Sequence, residues 1–370
     1  MADLVLRATA TSPESAEFAV GLDPTEPYLN DHRPGGLPLF GTVMGLELMA
    51  RSVITIAACP LSTPLRVARV VVGQPIMVTE ASRTAYVRAT LSIVERGERF
   101  RCEVVTRDDT TVTHFSATLE CTQPVSQTTA IDGPTGCSAL PVQASQIYAL
   151  FFHGPTFRVL QRAGLIHDAV VAEVATRLPG LTSDPHDTFV LAPRLIEACL
   201  QTAGLLEIAT QSRMMIPSRI ERIEFFGDRN SVPDRLFTRA RRSVTRQGVE
   251  AIDIDVVDLD GACWLKVGGY ETLPLQFPSD TAAIDDLHTA FRPKTPTPSP
   301  TPKMKRPERF PGSVRFRSPE RSHGADDGGD PEKSKGPASS FVQPAEPAGL
   351  QRFTLNAFNL REIDDYRHDG

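Results

Sequence analysis

The sequence contains few cysteines and no cysteine spacing typical of a metal site. Its six cysteines stand at positions 59, 102, 121, 137, 199 and 263, without a CxxC pair and mostly among apolar residues. We therefore expect reduced thiols, as in a cytoplasmic protein, and neither a metal ion nor a redox cofactor.

Long apolar runs and a strong excess of one charge are also missing. No run approaches the roughly 20 apolar residues that a membrane-spanning helix needs. The first four residues lack the basic start and apolar core of a signal peptide. The net charge of −6 gives no indication of a nucleic-acid or anionic membrane partner for the whole chain. These absences predict a cytoplasmic protein that binds neither nucleic acid nor membrane.

Two long apolar stretches have helical periodicity, and strand-like stretches with a period of two accompany each of them. The first helix is predicted over 42–58 and the second over 194–210, after Pro193. Strands are predicted over 66–72, 83–94, 99–107 and 111–120, and over 170–177, 219–226, 236–244, 251–258 and 262–270. This repeated order predicts an α+β fold with two antiparallel sheets, each wrapped round a long buried helix.

Composition divides the chain further. Of the 31 prolines, 13 fall between 278 and 347, where few apolar residues are available to offset the ordering entropy. Leu350, Phe353 and Leu360 lie on one face of a possible helix near the end. We predict five segments: an N-terminal unit 1–125, a linker 126–143, a second unit 144–275, a disordered Pro- and charge-rich linker 276–348, and a candidate docking helix 349–370.

His32 is a candidate general base. It sits in a loop rich in proline and glycine that leads directly into the first predicted helix. The start of that helix offers unpaired N–H groups and a positive dipole end. We expect backbone N–H groups near Gly36 to stabilise a developing oxyanion while His32 removes a proton from carbon.

Glu197 is a candidate general acid, because it lies early in the second buried helix with Gln201 four residues later on the same face. Burial in an apolar seam predicts a raised pKa, which suits a proton donor. A structural Glu–Gln pair is the alternative interpretation. Glu47 and Arg51, at the same spacing in the first helix, are interpreted as a structural ion pair.

A base and an acid from different halves of the chain suit the elimination of water from a 3-hydroxyacyl thioester. His32 removes the α-proton and Glu197 protonates the departing β-hydroxyl, provided that both reach one cleft. Two alternatives remain open. A thioester hydrolase would use the helix carboxylate to activate water without His32, and a non-catalytic scaffold would only bind acyl chains or partner proteins, which the resemblance given next implies to be synthase subunits.

At these residues the chain resembles the dehydratase domains of polyketide synthases and polyunsaturated-fatty-acid synthases. The family's HxxxGxxxxP motif corresponds to His32, Gly36 and Gly41, with glycine in place of the final proline. Its DxxxQ motif corresponds to Glu197 and Gln201. Its Gly-Pro turn before an aromatic corresponds to the run 153–157, in which His153, Gly154, Pro155 and Phe157 are predicted to position the substrate.

The resemblance implies a double hotdog fold and a substrate held on the phosphopantetheine of an acyl carrier protein. No Asp-Ser-Leu carrier attachment site is present, so the carrier is expected on another chain. Polyketide synthase subunits are the expected partners of the tail, through residues 350–366. Exposed hotdog sheet edges are compatible with a homodimer.

Overall fold

The computed structural model describes residues 6–12, 14–79, 83–94, 97–107, 110–123, 140–226, 233–274 and 281–292. The candidate docking helix at 349–370 and its tail segment 350–366 lie outside these ranges. Within them, no helix is both long enough and apolar enough to cross a membrane.

The first half of the chain is one long helix, α2, packed against antiparallel strands. Its helix is buried along almost its whole length, including the carboxyl group of Glu47. The elements are β1 (Arg7–Thr11), β2 (Ser15–Gly21), α1 (Pro27–Asn30), β3 (Leu39–Phe40), α2 (Thr42–Ile56), β4 (Leu65–Val72), β5 (Ile76–Met77), β6 (Thr84–Val94), β7 (Gly97–Arg107) and β8 (Thr111–Cys121).

The second half repeats this arrangement around α4. Pro193 occupies the first turn of this helix, where its missing N–H costs nothing. The elements are β9 (Val142–Gln143), α3 (Ala144–Leu150), β10 (Leu160–Ile166), β11 (Ala169–Val174), α4 (Pro193–Gln211), β12 (Met215–Phe225), β13 (Phe237–Val244), β14 (Glu250–Val257), β15 (Cys263–Pro274) and α5 (Thr281–Ala290). The last two residues of the predicted linker thus form β9.

The two sheets predicted from the sequence are joined into one. Strand β4 pairs antiparallel with β12, with Val71 opposite Arg219 and Val67 opposite Ile223. The result is a 13-stranded sheet in the order β1-β2-β6-β7-β8-β4-β12-β15-β14-β13-β11-β10-β9. Helices α2 and α4 each pack on the strands of their own half and also touch each other. This contact places α2, which follows the His32 loop, next to α4, which carries Glu197.

The prediction of disorder over 276–348 is wrong for α5. Ile284, Leu287 and Phe291 recur at steps of three and four residues and are buried in the main core. Burying side chains of this size contributes roughly 1.5–3 kcal/mol each relative to exposure. The imidazole of His288 also lies 2.8 Å from the carbonyl of Ile208 in α4. The apolar stripe is short and borders the proline-rich composition, which concealed it.

Candidate active site

His32 is held in a closed loop between α1 and β3. Its backbone N–H donates to Leu29, and its carbonyl accepts from the N–H of Leu39 at 2.8 Å. Its Nδ1 lies 2.8 Å from the carbonyl oxygen of Leu39. Because a carbonyl oxygen only accepts, Nδ1 carries the proton and Nε2 keeps its lone pair. His32 is only 8% exposed, so Nε2, which can accept a proton, lies in a nearly enclosed site.

The loop after His32 brings the start of α2 against the imidazole. Gly41 precedes the helix, and a Cβ at this position would lie 3.2 Å from Cε1 of His32. The carbonyl of Gly41 accepts from the N–H groups of Met44 and Gly45. Among the residues that the structure describes, no acceptor pairs with the N–H of Thr42 or Val43. The positive end of α2 therefore presents free donors beside the base.

Gly36 does not supply such a donor. Its N–H already donates to the carbonyl of Arg33 at 3.1 Å. Gly35 and Gly36 have φ values of 65° and 90°, which a side chain rarely adopts. This glycine shapes the turn, and N–H groups without a partner among the described residues lie at the start of α2. An oxyanion contact from backbone N–H groups near Gly36 stays a prediction.

The turn at 153–157 comes from the second half of the chain and is hydrogen-bonded to the His32 loop. His32 and His153 form an antiparallel β-bridge. The N–H of Gly154 donates to the carbonyl of Asp31 at 2.7 Å, and the N–H of Thr156 donates to Oδ2 of Asp31 at 2.8 Å. A carboxylate that receives a backbone N–H in this way ties the two halves together at the site. Asp31 was not among the residues singled out from the sequence.

Glycine is required at position 154 by this close approach. A Cβ there would lie 2.6 Å from Oδ1 of Asp31. We expect Gly154→Ala to lower the free energy of unfolding by about 1–3 kcal/mol, the usual cost of overpacking. Urea unfolding followed by circular dichroism measures this, with Gly21→Ala as the control because nothing lies within 4 Å of a Cβ at that glycine. Equal stability of the two variants would refute a tight clamp.

Glu197 meets the turn from α4. Its Oε1 lies 3.1 Å from Nε2 of His153 and accepts from Nε2 of Gln201 at 2.9 Å. Gln201 also donates to the carbonyl of Phe157 at 2.9 Å. Among the described residues no hydrogen bond reaches Oε2 of Glu197. One carboxylate oxygen is thus fixed by two nitrogen groups, and the other is free.

The amide of Gln201 is itself oriented by Tyr148, which the sequence reasoning missed. The Tyr148 hydroxyl donates to Oε1 of Gln201 at 2.9 Å and accepts from the N–H of Leu160 at 2.8 Å. This chain of bonds fixes which end of the amide faces Glu197. A signal was present in the sequence, because Tyr148 lies only five residues before His153.

The environment lowers the pKa of both predicted catalytic groups. Burial, followed by repulsion from His153, lowers the pKa of His32 to about 4, while Glu197 and the Leu39 carbonyl act in the opposite direction. Burial alone would raise the pKa of Glu197, but His153, His32 and Gln201 together hold it below its ordinary value. The prediction of a raised pKa for Glu197 is therefore wrong, because its seam is lined by nitrogen donors.

The predicted Glu47–Arg51 ion pair is present, with 2.9 Å between Nε of Arg51 and Oε1 of Glu47. Glu47 also accepts the N–H groups of Val190 and Leu191 at 2.8 Å. Arg51 also forms an ion pair with Asp187, with 2.8 Å between its Nη2 and Oδ1 of Asp187. The carboxylate in α2 that corresponds to Glu197 thus fastens the segment leading into α4.

Comparison with known proteins shows which family of domains this chain is similar to. Residues 139–277, which include His153, Glu197 and Gln201, match the family model described as polyketide synthase dehydratase N-terminal domain. A trans-AT polyketide synthase dehydratase domain from Brevibacillus brevis is similar, with 21% identity, a TM-score of 0.59, and 73% of this chain and 97% of that chain covered.

Two further solved structures have the same fold. The dehydratase domain of RzxB from Pseudomonas fluorescens has 18% identity and a TM-score of 0.57, covering 72% of this chain and 97% of that one. The dehydratase domain from the CurF module of curacin polyketide synthase has 17% identity and a TM-score of 0.60, covering 73% and 98%. The chain thus has the double hotdog fold of polyketide synthase dehydratase domains, and its second half matches the sequence model of that family.

Proposed function

We propose that the protein is a dehydratase that removes water from a 3-hydroxyacyl thioester to give the enoyl thioester, in polyketide or specialised fatty-acid biosynthesis. One observation carries the proposal: His32 from the first half and Glu197 from the second meet at His153. His153 forms the β-bridge with His32, and its Nε2 lies 3.1 Å from Glu197. The family-model match over the second half and the shared fold support the same reaction class.

His32 is the proposed base. Its Nε2 takes the α-proton, which the thioester carbonyl acidifies, while the Leu39 carbonyl holds the proton on Nδ1. The enolate oxygen that develops accepts hydrogen bonds from the free N–H groups of Thr42 and Val43 at the start of α2. The imidazole is ready for this step at neutral pH, because its lowered pKa keeps it unprotonated.

Glu197 is the proposed acid, acting through its free Oε2. Oε2 gives its proton to the β-hydroxyl oxygen of the substrate. The bond between that hydroxyl oxygen and the β-carbon breaks, and water leaves. His153 and Gln201 then stabilise the carboxylate that remains, through their contacts to Oε1. An apolar acyl chain bound against Oε2 raises the pKa of Glu197, because it favours the neutral carboxyl group, and this supplies the protonated form.

The proposed delivery of the substrate is by the phosphopantetheine arm of a separate acyl carrier protein. The elimination then uses only groups of this chain and no cofactor. Within the described ranges, no group of three or more His, Cys, Asp or Glu side chains is arranged to hold a metal ion. Recruitment of synthase subunits by residues 350–366, and a homodimer, remain predictions.

A second candidate function, a thioester hydrolase, is favoured by the lowered pKa of Glu197. A carboxylate with one free oxygen is suited to take a proton from water that attacks the thioester carbonyl. This reaction would not need the lone pair of His32. Product identity separates the two functions.

The test is incubation of the full chain with soluble 3-hydroxyacyl thioesters of several lengths, followed by mass spectrometry. The dehydratase proposal predicts loss of water with the thioester intact. Release of the free 3-hydroxy acid would support the hydrolase instead. Binding without either product would indicate the scaffold.

The titration of His32 gives an independent prediction. We expect its imidazole to titrate near pH 4 in the folded protein, against about 6.5 for an unperturbed histidine. Between these values the unfolded chain binds more protons, so this group makes the folded protein less stable as pH falls from about 6.5 to about 4. NMR of the labelled imidazole, assigned with His32→Asn, measures the midpoint. A midpoint near 6.5 would contradict the enclosed base.

A further inference from the structure

Phe152 is an exposed aromatic residue in contact with both imidazoles of the site. It follows the end of α3 and directly precedes His153. The residue is 43% exposed, whereas His32 and His153 are each 8% exposed. A large apolar side chain at the surface is therefore in contact with two enclosed polar rings.

The ring geometry shows how close this contact is. Phe152 stacks on His153 with 4.4 Å between centroids and 19° between planes. It also meets His32 edge to face at 5.0 Å and 68°. Phe157 is the other phenyl ring beside His32, at 5.8 Å, and it is 2% exposed. Of the aromatic neighbours of His32 in the described part of the chain, Phe152 alone is exposed.

His153 supplies a second observation. Its Nδ1 is buried and has no hydrogen-bond partner among the described residues. A buried polar nitrogen without a partner is costly, so it marks a place where a ligand group or water completes the site. The Phe152 ring lies flat against this same imidazole.

We propose that Phe152 is a movable cover over His32 and His153 and that it limits the size of the substituent on the substrate's α-carbon. The inference rests on the proposed function, because it is the acyl thioester that must displace the ring to reach Nε2 of His32. The displaced phenyl group then forms the wall beside the α-carbon. Phe152 is therefore a specificity-determining residue, and the preferred substrates are thioesters without a branch at that carbon.

The cover reduces binding by keeping the open state rare. Each aromatic contact of this kind is worth roughly two- to tenfold in an equilibrium. Two such contacts leave the open form a minor population, and the apparent affinity falls by the same fraction. Removal of the ring lowers KM and admits a branched α-carbon. The chemistry of the proton transfer is left in place.

The experiment measures access to His32 directly. Full-length wild-type protein, Phe152→Ala, Phe152→Leu and Phe152→Tyr are treated with diethyl pyrocarbonate, and modification of the His32 peptide is followed by mass spectrometry. We expect His32 to react at least about tenfold faster in Phe152→Ala, at an intermediate rate in Phe152→Leu, and at the wild-type rate in Phe152→Tyr. Leu259→Ala is the matched control, since Leu259 is 51% exposed in the turn before β15.

Activity is the second readout. Phe152→Ala should raise kcat/KM for an α-methyl thioester relative to the unbranched one by about tenfold, mainly through KM, because removal of the wall makes room for one methyl group. Equal modification rates of His32 in folded Phe152→Ala, Phe152→Leu and wild type would overturn the cover. Absence of water loss with every thioester would overturn the proposed function, while the modification rates still report on the cover.

Discussion

His32→Asn should lower kcat/KM for water loss from a 3-hydroxyacyl thioester by roughly 10²–10⁴-fold, the usual contribution of a general base. Asparagine keeps a hydrogen-bonding group near the Leu39 carbonyl but has no basic nitrogen to replace Nε2. The α-proton then loses its proposed acceptor, Nε2 of His32. Rates from ultraviolet absorbance of the enoyl thioester, compared at equal protein concentration, measure the effect.

The control for this prediction is His114→Asn. His114 is buried in the first half, where it contacts Thr106 and the Gln74 carbonyl at 2.8 Å each, and it has no part in the proposed site. Its loss is expected to change stability more than rate. A rate of water loss in His32→Asn within twofold of wild type would remove His32 from the mechanism.

Glu47→Ala should lower the free energy of unfolding by about 3–5 kcal/mol. Most of this cost arises because two buried N–H groups lose their acceptor, at about 1–3 kcal/mol each, while Arg51 keeps its contact with Asp187. Arg51 loses its contact at 2.9 Å, and the N–H groups of Val190 and Leu191 lose their acceptor in the interior. Because these residues lead into α4, the variant should also dehydrate its substrate more slowly. Urea denaturation at neutral pH measures the stability.

A surface ion pair provides the comparison for Glu47. Glu120 contacts Arg66 and Arg99, whose side chains are 43% and 41% exposed. Exposed pairs contribute about 0–1 kcal/mol, so Glu120→Ala should cost no more than that. If Glu47→Ala were as mild as Glu120→Ala, the carboxylate would not be fastening the segment before α4.

Sequence periodicity located the two central helices well. The helices predicted at 42–58 and 194–210 are observed at Thr42–Ile56 and Pro193–Gln211. Both are buried on nearly all sides, and such helices give long apolar patterns that are difficult to mistake. Strand β10 was missed, because a bulge between Leu160 and Arg162 interrupts its alternation.

Contacts between distant residues were harder to foresee. The pairing of β4 with β12 depends on how two sheet edges meet, and no local pattern encodes it. For the same reason the sequence predicted a raised pKa for Glu197. The apolar residues of its own helix were visible in the sequence, but the imidazole of His153, 44 positions earlier, was not.

Residue type and order were nevertheless informative about the site. Two of the predicted positions, Glu197 and Gln201, share a helical face, and their side chains are hydrogen-bonded to each other, as their spacing indicated. The N–H groups near Gly36 were assigned an oxyanion role because a helix start follows this loop, whereas the N–H of Gly36 itself is used by its own turn. The backbone dihedral angles of a tight loop determine its hydrogen bonds, and the sequence alone does not specify these angles.

The central claim is that one imidazole and one carboxyl group, from different halves of the chain, act on a single substrate. The kcat/KM for water loss by His32→Asn, Glu197→Gln and the double variant tests it most directly. Groups that act together in one reaction are strongly non-additive, so the double variant should be about as slow as the slower single variant. Losses that multiply, or a Glu197→Gln variant as fast as wild type, would contradict the shared site.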